Sequence, residues 1–327
     1  MASILVCDDQ PDVVRALQLL LKTSGHRAAM ADGPPAVRQA LERERFDLVL
    51  TDMNFTRDTT SGREGLELVE EIRRRGAAPP VVVLTAWGDI DLAVQAMRRG
   101  AVDFVQKPWE NARLLATVER CLEDARHAHD EMEIARSVQQ KLLPERTVET
   151  RTLRAWARFE PAREVGGDYY DFFPLSEDEL GVVLADVSGK GVPAALLMAN
   201  LQALFRSQDA ALLRQPAKLL TRINGLFYAA TDAAHYATVF YACYDGAARQ
   251  LRWANCGHPA ARAGERECGS TAPPLGLFPE IDVEEMAMPF GPGERLYACS
   301  DGVLETDVAE DDRTELELVV TSLHSKA

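Results

Sequence analysis

Positive charge is what this 327-residue sequence is short of: 36 Lys and Arg stand against 51 Asp and Glu, a formal net charge of −15. A nucleic-acid partner needs a basic surface to displace counterions, so neither DNA nor RNA is an expected partner. Aromatic residues are few, at 7 %, but hydrophobic residues reach 46 %, enough for ordinary cores and too many for a disordered chain. No apolar run approaches the ~18 residues of a membrane span. The N-terminal Met1-Ala2-Ser3-Ile4 also lacks the basic stretch and long apolar run of a secretory signal, so no membrane association is expected. The cysteines Cys7, Cys121, Cys243, Cys256, Cys268 and Cys299 are scattered without a CxxC pair, which reads as reduced thiols in a cytoplasmic protein. Glycine and proline are missing altogether from residues 111–143, which therefore read as one long helical stretch stopped by Pro144.

What is present divides the chain into domains 1–120 and 149–327 joined by a helical linker, 121–148. In the first, short β-rich runs at 4–7, 48–50, 81–84 and 104–106 alternate with amphipathic patterns at 13–23, 36–45, 66–75 and 92–99, and a weaker strand lies near 26–30. That alternation predicts an α/β fold, a doubly wound five-stranded parallel sheet with helices on both faces. In the second domain strand-like segments dominate, at 153–159, 180–185, 237–244, 250–254, 295–299 and 316–320. Helical patterns occur only near 194–206 and 216–229, an α+β layout of mostly antiparallel strands. Placing Val118 at heptad position a puts Cys121, Ala125, Ala128, Met132, Ala135 and Leu142 on one seam with it, broken only by Gln139. Two readings stay open for that seam: packing on the helix's own domain, or a self-associating coiled coil. We expect a homodimer through the linker helix.

Ligands of open parallel sheets bind beyond the carboxyl ends of the strands. Polar residues stand at four such ends: Asp8 and Asp9, then Asp52, then Thr85, then Lys107. Converging carboxylates repel one another and call for a hard cation such as Mg²⁺. Asp52 can then act as a nucleophile toward a phosphoryl group and form an acyl phosphate, with Thr85 and Lys107 receiving its oxygens. In the C-terminal half, Asp-containing turns recur in "EVGGDYYDFF" (Asp168), "VVLADVSGKG" (Asp186) and "RLYACSDGVLE" (Asp301), and "EDDRTELELVV" adds Asp311 and Asp312. Each Asp-Gly turn alone is an ordinary turn. As a set they suit two hard cations about 3.5–4 Å apart, which clamp a phosphate for in-line attack, and no Cys or His cluster of zinc spacing competes.

The stretches "ILVCDDQ", "LVLTDMN", "VVVLTAWGD" and "DFVQKP" make residues 1–120 resemble the receiver domain of bacterial response regulators. The resemblance implies a Mg²⁺ held by Asp8, Asp9, Asp52 and the Asn54 backbone carbonyl. It also implies Asp52 as phosphoacceptor, a sensor histidine kinase as phosphodonor, and Thr85, Lys107 and Phe104 as the residues that respond. A plain core aromatic is the competing reading of Phe104. The stretches "EIARSVQQKLLP", "EPAREVGGDYYDFF", "LADVSGKGVPAALLM", "YATVFYACYD", "WANCGHPA", "PPLGLFPE" and "GPGERLYACSDGVLE" make residues 133–320 resemble the SpoIIE/RsbU branch of the PPM-type serine/threonine protein phosphatases. That implies two packed antiparallel sheets flanked by helices and two Mn²⁺ or Mg²⁺ ions. Asp168 and Asp186 would hold the first ion with the Val187 backbone, and Asp186, Asp301 and Asp311 the second; Arg163 would bind phosphate, a surface salt bridge being its competing reading. The implied substrate is a phosphoprotein, an anti-sigma-factor antagonist.

Two departures stand out. Eukaryotic members carry a histidine shortly after the second Asp, where this chain reads Ser188-Gly189-Lys190. Only about ten residues separate the "SDG" turn from "DDRT", where the family inserts several tens. The expected function is a metal-dependent phosphoserine/phosphothreonine phosphatase under receiver control. The alternative is an inactive phosphatase-like module that binds a partner. His258 and Asn255 in "NCGHP" read as structural turn residues rather than catalysts.

Overall fold

Strand–helix alternation in the first part of the chain and strand predominance in the rest give two compact units in this computed structural model, Met1–Glu131 and Met132–Ala327. The structure describes residues 1–55, 62–75, 78–86, 90–160, 164–232, 234–304 and 315–322.

The first unit runs β1 (Ser3–Cys7), α1 (Pro11–Thr23), β2 (Arg27–Ala31), α2 (Pro34–Arg43), β3 (Leu48–Asp52), α3 (Arg63–Arg73), β4 (Val81–Thr85), α4 (Ile90–Arg98), β5 (Asp103–Gln106) and α5 (Asn111–Leu142). The strands pair in parallel in the order β2-β1-β3-β4-β5. β3 and β4 are buried along their whole length, as central strands covered on both faces must be. Alternate residues feed two cores. Leu5, Val49 and Val83 pack with Leu66, Val69 and Ile72 of α3, while Ile4, Leu50 and Val82 pack with Leu17 and Leu21 of α1 and Leu114 and Val118 of α5. The expected five-stranded doubly wound sheet is the one observed.

Helix α5 has 32 residues, about 48 Å at 1.5 Å per residue. Its start is packed by Leu114, Val118, Cys121 and Leu122 in the first unit's core. It ends at Leu142, ahead of Pro144, because a residue preceding proline is pushed out of helical geometry. The predicted linker 121–148 is therefore not helical throughout: β6 (Thr147–Glu149) already belongs to a sheet. The apolar positions of the predicted seam are buried only at its start: Ala125, Met132, Ala135 and Leu142 are partly buried and Ala128 is exposed. Val118 and Cys121 are buried in the first core and Gln139 is buried near the other end, while the exposed apolar side chains Ile134 and Val138 lie off it.

The second unit continues with β7 (Leu153–Glu160), β8 (Tyr169–Pro174), β9 (Glu179–Val187), α6 (Val192–Arg206), α7 (Ala210–Leu213), α8 (Pro216–Ala230), β10 (Ala237–Asp245) and β11 (Gln250–Cys256). After them come β12 (Ala261–Ala263), β13 (Arg266–Cys268), β14 (Met286–Pro289), β15 (Arg295–Cys299), α9 (Asp301–Leu304) and β16 (Glu315–Ser322). Two sheets form, β14-β11-β10-β9-β8 and β13-β12-β15-β16-β7-β6. Their named strand pairs are all antiparallel.

The period-2 alternation of strands assigns each side chain to a layer. Tyr170 and Phe172 of β8, Leu180, Val182 and Leu184 of β9, and Phe240 and Ala242 of β10 face Ala155, Leu296, Ala298 and Leu318 of the other sheet. Tyr169, Phe173, Val183, Ala185 and Tyr241 face outward onto Met198, Leu201 and Phe205 of α6 and Leu219, Leu220 and Phe227 of α8.

Candidate functional site

In the first unit, the carboxyl ends of β1, β3, β4 and β5 bring the sequence-predicted residues together. Oxygens from Asp8, Asp9 and Asp52 lie within 4.8 Å of one another. Lys107, just past β5, places Nζ 2.7 Å from Asp8 Oδ2 and 3.1 Å from Asp52 Oδ1, and its backbone N–H donates to the Thr85 carbonyl at 2.7 Å. Asp8, Asp52 and Thr85 are buried. Burial pushes the Asp52 carboxyl above its usual range, with Asp8 adding to the rise and Lys107 pulling it back. Gly65 of α3 presses so close to the end of β3 that an added Cβ would sit 2.6 Å from the Met53 backbone. Asn54 carries a buried side-chain Oδ1 with no hydrogen-bond partner among the described residues. Phe104 is 39 % exposed, which removes the plain core reading of this aromatic.

An all-oxygen donor set of this size and charge fits a hard cation such as Mg²⁺. The nearby ammonium and the buried nucleophile fit an incoming phosphoryl group.

In the second unit, the face alternation decides where the carboxylates go. Asp186 has the parity of Leu180 and Leu184, so it turns into the space between the sheets, at the end of β9 rather than in a turn after it. Tyr169 pairs with Ala185 and Thr238 with Asp186, which sets Asp168 beside Asp186 at that same end. Asp301 arrives from the opposite sheet, one residue past Ser300 and β15, as the first residue of α9.

The carboxyls of Asp168 and Asp186 lie within hydrogen-bonding reach of each other, and the Ser300 hydroxyl donates to Asp168. Asp168 is buried, and its Oδ2 has no hydrogen-bond partner among the described residues. Burial first, then Asp186 and Asp301, push its carboxyl well above the usual range. Asp186 is pushed up to about 6, mainly by burial, with Asp301 adding to the rise. Next to Asp168, Gly167 is obligatory for steric reasons, since a Cβ there would meet the Val187 carbonyl oxygen at 2.5 Å.

A cavity of about 380 Å³ opens beside these groups, lined by Asp186, Ser188, Tyr236, Thr238, Gly257, His258, Pro259 and Asp301. Tyr236 and Ser188 close its rim: each backbone N–H is 2.9 Å from an oxygen of the other residue. His258 is a turn residue, as expected. The Asn255 side chain accepts from its N–H at 2.8 Å and donates to its carbonyl at 3.1 Å. Its ring also walls the cavity, with Nδ1 2.9 Å from Thr238 Oγ1. Burial pushes the ring's pKa down to about 4, against a smaller upward pull from the Cys299 backbone. With its pKa that low, the buried ring is neutral near pH 7.

The oxygen-only donor set, the orphaned Asp168 Oδ2 and the mutual repulsion of three carboxyls fit hard divalent cations. Arg163 and Asp311 lie outside the described residues. Sequence reasoning missed Ser300, although it adjoins Asp301 in "CSDG", and it missed Tyr236 and Thr238, which carry no signal beyond their place at β10.

The comparisons with known proteins agree with this division. The family model of the response regulator receiver domain matches residues 4–119. That of stage II sporulation protein E (SpoIIE) matches residues 176–327, a span that includes Asp186 and Asp301. The chain joins a response regulator receiver domain to a SpoIIE-family domain.

Among curated relatives, phosphoserine phosphatase RsbP of Bacillus subtilis is 28 % identical over 184 residues, 54 % of this chain and 45 % of RsbP. Phosphoserine phosphatase RsbU of the same organism is 30 % identical over 181 residues, 54 % of this chain and 53 % of RsbU. The transcriptional regulatory protein FixJ of Bradyrhizobium diazoefficiens is 32 % identical over 135 residues, 41 % of this chain and 63 % of FixJ. The chain thus spans well short of the full length of these relatives. The solved SiaA-PP2C domain of Pseudomonas aeruginosa shares the fold, with a TM-score of 0.52 at 19 % identity, covering 61 % of this chain and 98 % of that one. Among the described residues, no helix is long and apolar enough to cross a membrane.

Proposed function

We propose that this protein is a cation-dependent phosphoserine/phosphothreonine protein phosphatase whose activity is set by phosphorylation of Asp52. The observation that carries the reading is that Asp186 and Asp301, from two sheets, line one cavity, with Asp168 within hydrogen-bonding reach of Asp186 and no Lys or Arg paired to the three among the described residues. Burial and mutual repulsion without a counter-charge raise the Asp168 and Asp186 carboxyls, which makes the cluster a cation site in wait. Mg²⁺ or Mn²⁺ bound there would polarise a water and the substrate phosphate. Asp186 would serve both ions, Asp168 and the Val187 carbonyl the first, and Asp301 and Asp311 the second. Ser300 orients Asp168 through its hydrogen bond, and Arg163 would pair with the phosphate. The buried, neutral His258 keeps that wall of the cavity free of added positive charge.

In the receiver, Asp8, Asp9, Asp52 and the Asn54 carbonyl would hold a Mg²⁺. The Asp52 carboxylate attacks the phosphoryl phosphorus of a phosphohistidine in a sensor kinase, and the imidazole leaves. Lys107 neutralises the new phosphoryl oxygens and Thr85 hydrogen-bonds one of them, while half-exposed Phe104 repacks. Likeness to two proteins named phosphoserine phosphatases supports the output chemistry. The family resemblance points to an anti-sigma-factor antagonist as substrate, in the cytoplasm, with the protein acting as a homodimer.

The test is hydrolysis of p-nitrophenyl phosphate and of a phosphoserine protein by the purified chain, with Mn²⁺, with Mg²⁺, and with a chelator. Activity that appears only with the cations is expected. Failure to hydrolyse either substrate at any cation concentration would leave a binding module in place of an enzyme.

A further inference from the structure

The polar residue that interrupts the α5 seam is buried. Gln139 keeps only 8 % of its surface exposed. Its carboxamide forms a reciprocal pair of hydrogen bonds with a single residue: Nε2 donates to the Gly166 carbonyl at 2.7 Å, and Oε1 accepts from the Gly166 N–H at 3.1 Å. A planar carboxamide offers a donor and an acceptor side by side, so it can pair with an extended backbone as a neighbouring strand would.

Gly166 is followed by Gly167 and Asp168. On its far side this short loop lies against the strand that carries Asp186: the Val187 N–H donates to the Gly167 carbonyl at 3.3 Å, and the lack of a Cβ at Gly167 allows that approach. The loop is therefore held between α5 and β9. The end of α5 is fastened in two further places. Gln202 of α6 donates to the Leu142 carbonyl at 3.2 Å, and the Tyr170 hydroxyl donates to the Pro144 carbonyl at 3.3 Å. Contacts from this helix end thus fall just before Asp168, at Gly166, and just after it, at Tyr170.

We propose that Gln139 is the positioning residue through which α5 sets the backbone of residues 166–168, and with it the cation affinity of the Asp168/Asp186/Asp301 site. This rests on the reading of that site as cation-dependent. A rotation of α5 by about 20° would carry a side-chain tip ~5–6 Å from the helix axis through roughly 2 Å. Both Gln139 bonds would exceed hydrogen-bonding distance. Asp168, whose Oδ2 awaits a partner, would move with the loop, and Asp186 would lose its neighbour. The same helix begins among the core residues of the first unit, Leu114 and Val118. A change felt at that end therefore reaches the site as a change in cation affinity rather than as a change in the reacting groups.

The experiment uses the full chain with Gln139→Leu, which removes both hydrogen bonds at similar size, and Gln139→Glu, which keeps the acceptor for the Gly166 N–H but sets a carboxylate oxygen against the Gly166 carbonyl. Hydrolysis of p-nitrophenyl phosphate is followed as a function of Mn²⁺. Loss of a residue that orients a ligand costs about ten- to a hundredfold in metal affinity. Q139L should raise the half-saturating Mn²⁺ at least tenfold and Q139E by less, with kcat recovering at saturating Mn²⁺ and the substrate KM unchanged. A merely structural role would lower kcat at every Mn²⁺ concentration without moving the half-saturation point, and that result overturns the proposal, as does a folded Q139L with wild-type Mn²⁺ dependence. If Q139L loses its thermal transition, Q139E decides by the same criterion. Calorimetric Mn²⁺ titration in an Asp8→Asn/Asp9→Asn background separates this proposal from the phosphatase reading. Weaker binding by Q139L in a chain that hydrolyses nothing supports the positioning role and removes only the assigned activity. Equal binding removes the positioning role.

Discussion

Lys107 sets an ammonium 2.7 Å from Asp8 and 3.1 Å from Asp52, whereas no Lys or Arg among the described residues is paired with Asp168, Asp186 or Asp301. The first cluster carries part of its counter-charge in the protein. The second must find it elsewhere, and without a cation it holds protons: Asp186 is pushed up to about 6 and Asp168 well above the usual range. Burial acts on both clusters, and it raises Asp52 even beside Lys107. The difference fits the two tasks proposed for the clusters. A cluster that must accept a phosphoryl group benefits from a fixed cation that stays when the chemistry is over. A cluster that works only when loaded with ions benefits from having none, because every carboxylate then remains free for metal.

The largest effect expected concerns the nucleophile. With a small phosphodonor and Mg²⁺, the chain should take up one acid-labile phosphoryl group, detected by intact mass, and Asp52→Asn should take up none. Unchanged labelling of that variant would move the phosphoacceptor elsewhere. Next, Asp186→Ala and Asp301→Ala should each lower phosphatase turnover by on the order of a thousandfold at saturating Mn²⁺, since each removes a ligand from a site that has no substitute charge. Labelling at Asp52 should be untouched in both. Near-normal turnover in either variant would show that the two clusters do not divide the work in this way.

A third expectation is pH-dependent and specific to the cation-poor cluster. The folded-state pKa of Asp186, about 6, lies above the ordinary carboxylate value. Between those two values the native state holds a proton that the unfolded chain has released, so the metal-free fold gains stability as pH falls through that window. Mn²⁺ competes with the same proton. Its affinity should therefore fall as pH is lowered through about 6. An affinity independent of pH from about 5 to about 7, in calorimetric titrations, would contradict the assigned ligand.

The smallest perturbation concerns the helix. Inserting two residues near Ala128 turns the following helix by roughly 200° at 3.6 residues per turn. Both units should keep their thermal transitions and the receiver its labelling, but the output should no longer respond to phosphorylation. Sedimentation of the phosphorylated and unphosphorylated protein tests the accompanying homodimer.

The receiver half was legible because its chemistry sits at strand ends, where a short apolar run followed by Asp, Thr or Lys marks both the strand and the site. Asp8 and Lys107 lie just past their strands, and Asp52 and Thr85 are the last residues of β3 and β4. In the second half the same rule misled in detail. Asp186 was read as a turn residue after a strand, yet it belongs to β9 and reaches the site by facing into the sandwich. The short strands β6, β12, β13 and β14 were missed because so few residues show no period, and the six-residue β8 was missed because it is buried on both faces, shows no alternation and was read as an Asp-containing turn. Phe104 could be seen as a candidate switch residue but not placed, since sequence does not reveal that β5 leaves it 39 % exposed. Gln139 shows the same limit: along the sequence it was a flaw in an apolar seam, and only the partner at Gly166, distant in sequence, gives it a purpose.

The decisive measurement is the rate of phosphoserine-protein hydrolysis in Mn²⁺, with and without a small phosphodonor, for the intact chain and for Asp52→Asn. The proposed coupling through α5, from the first unit's core to the Asp168 loop, requires the intact chain to show different rates in the two conditions and Asp52→Asn to show the same rate in both. Equal rates from the intact chain, with its phosphorylation verified by mass, would contradict receiver control of the site.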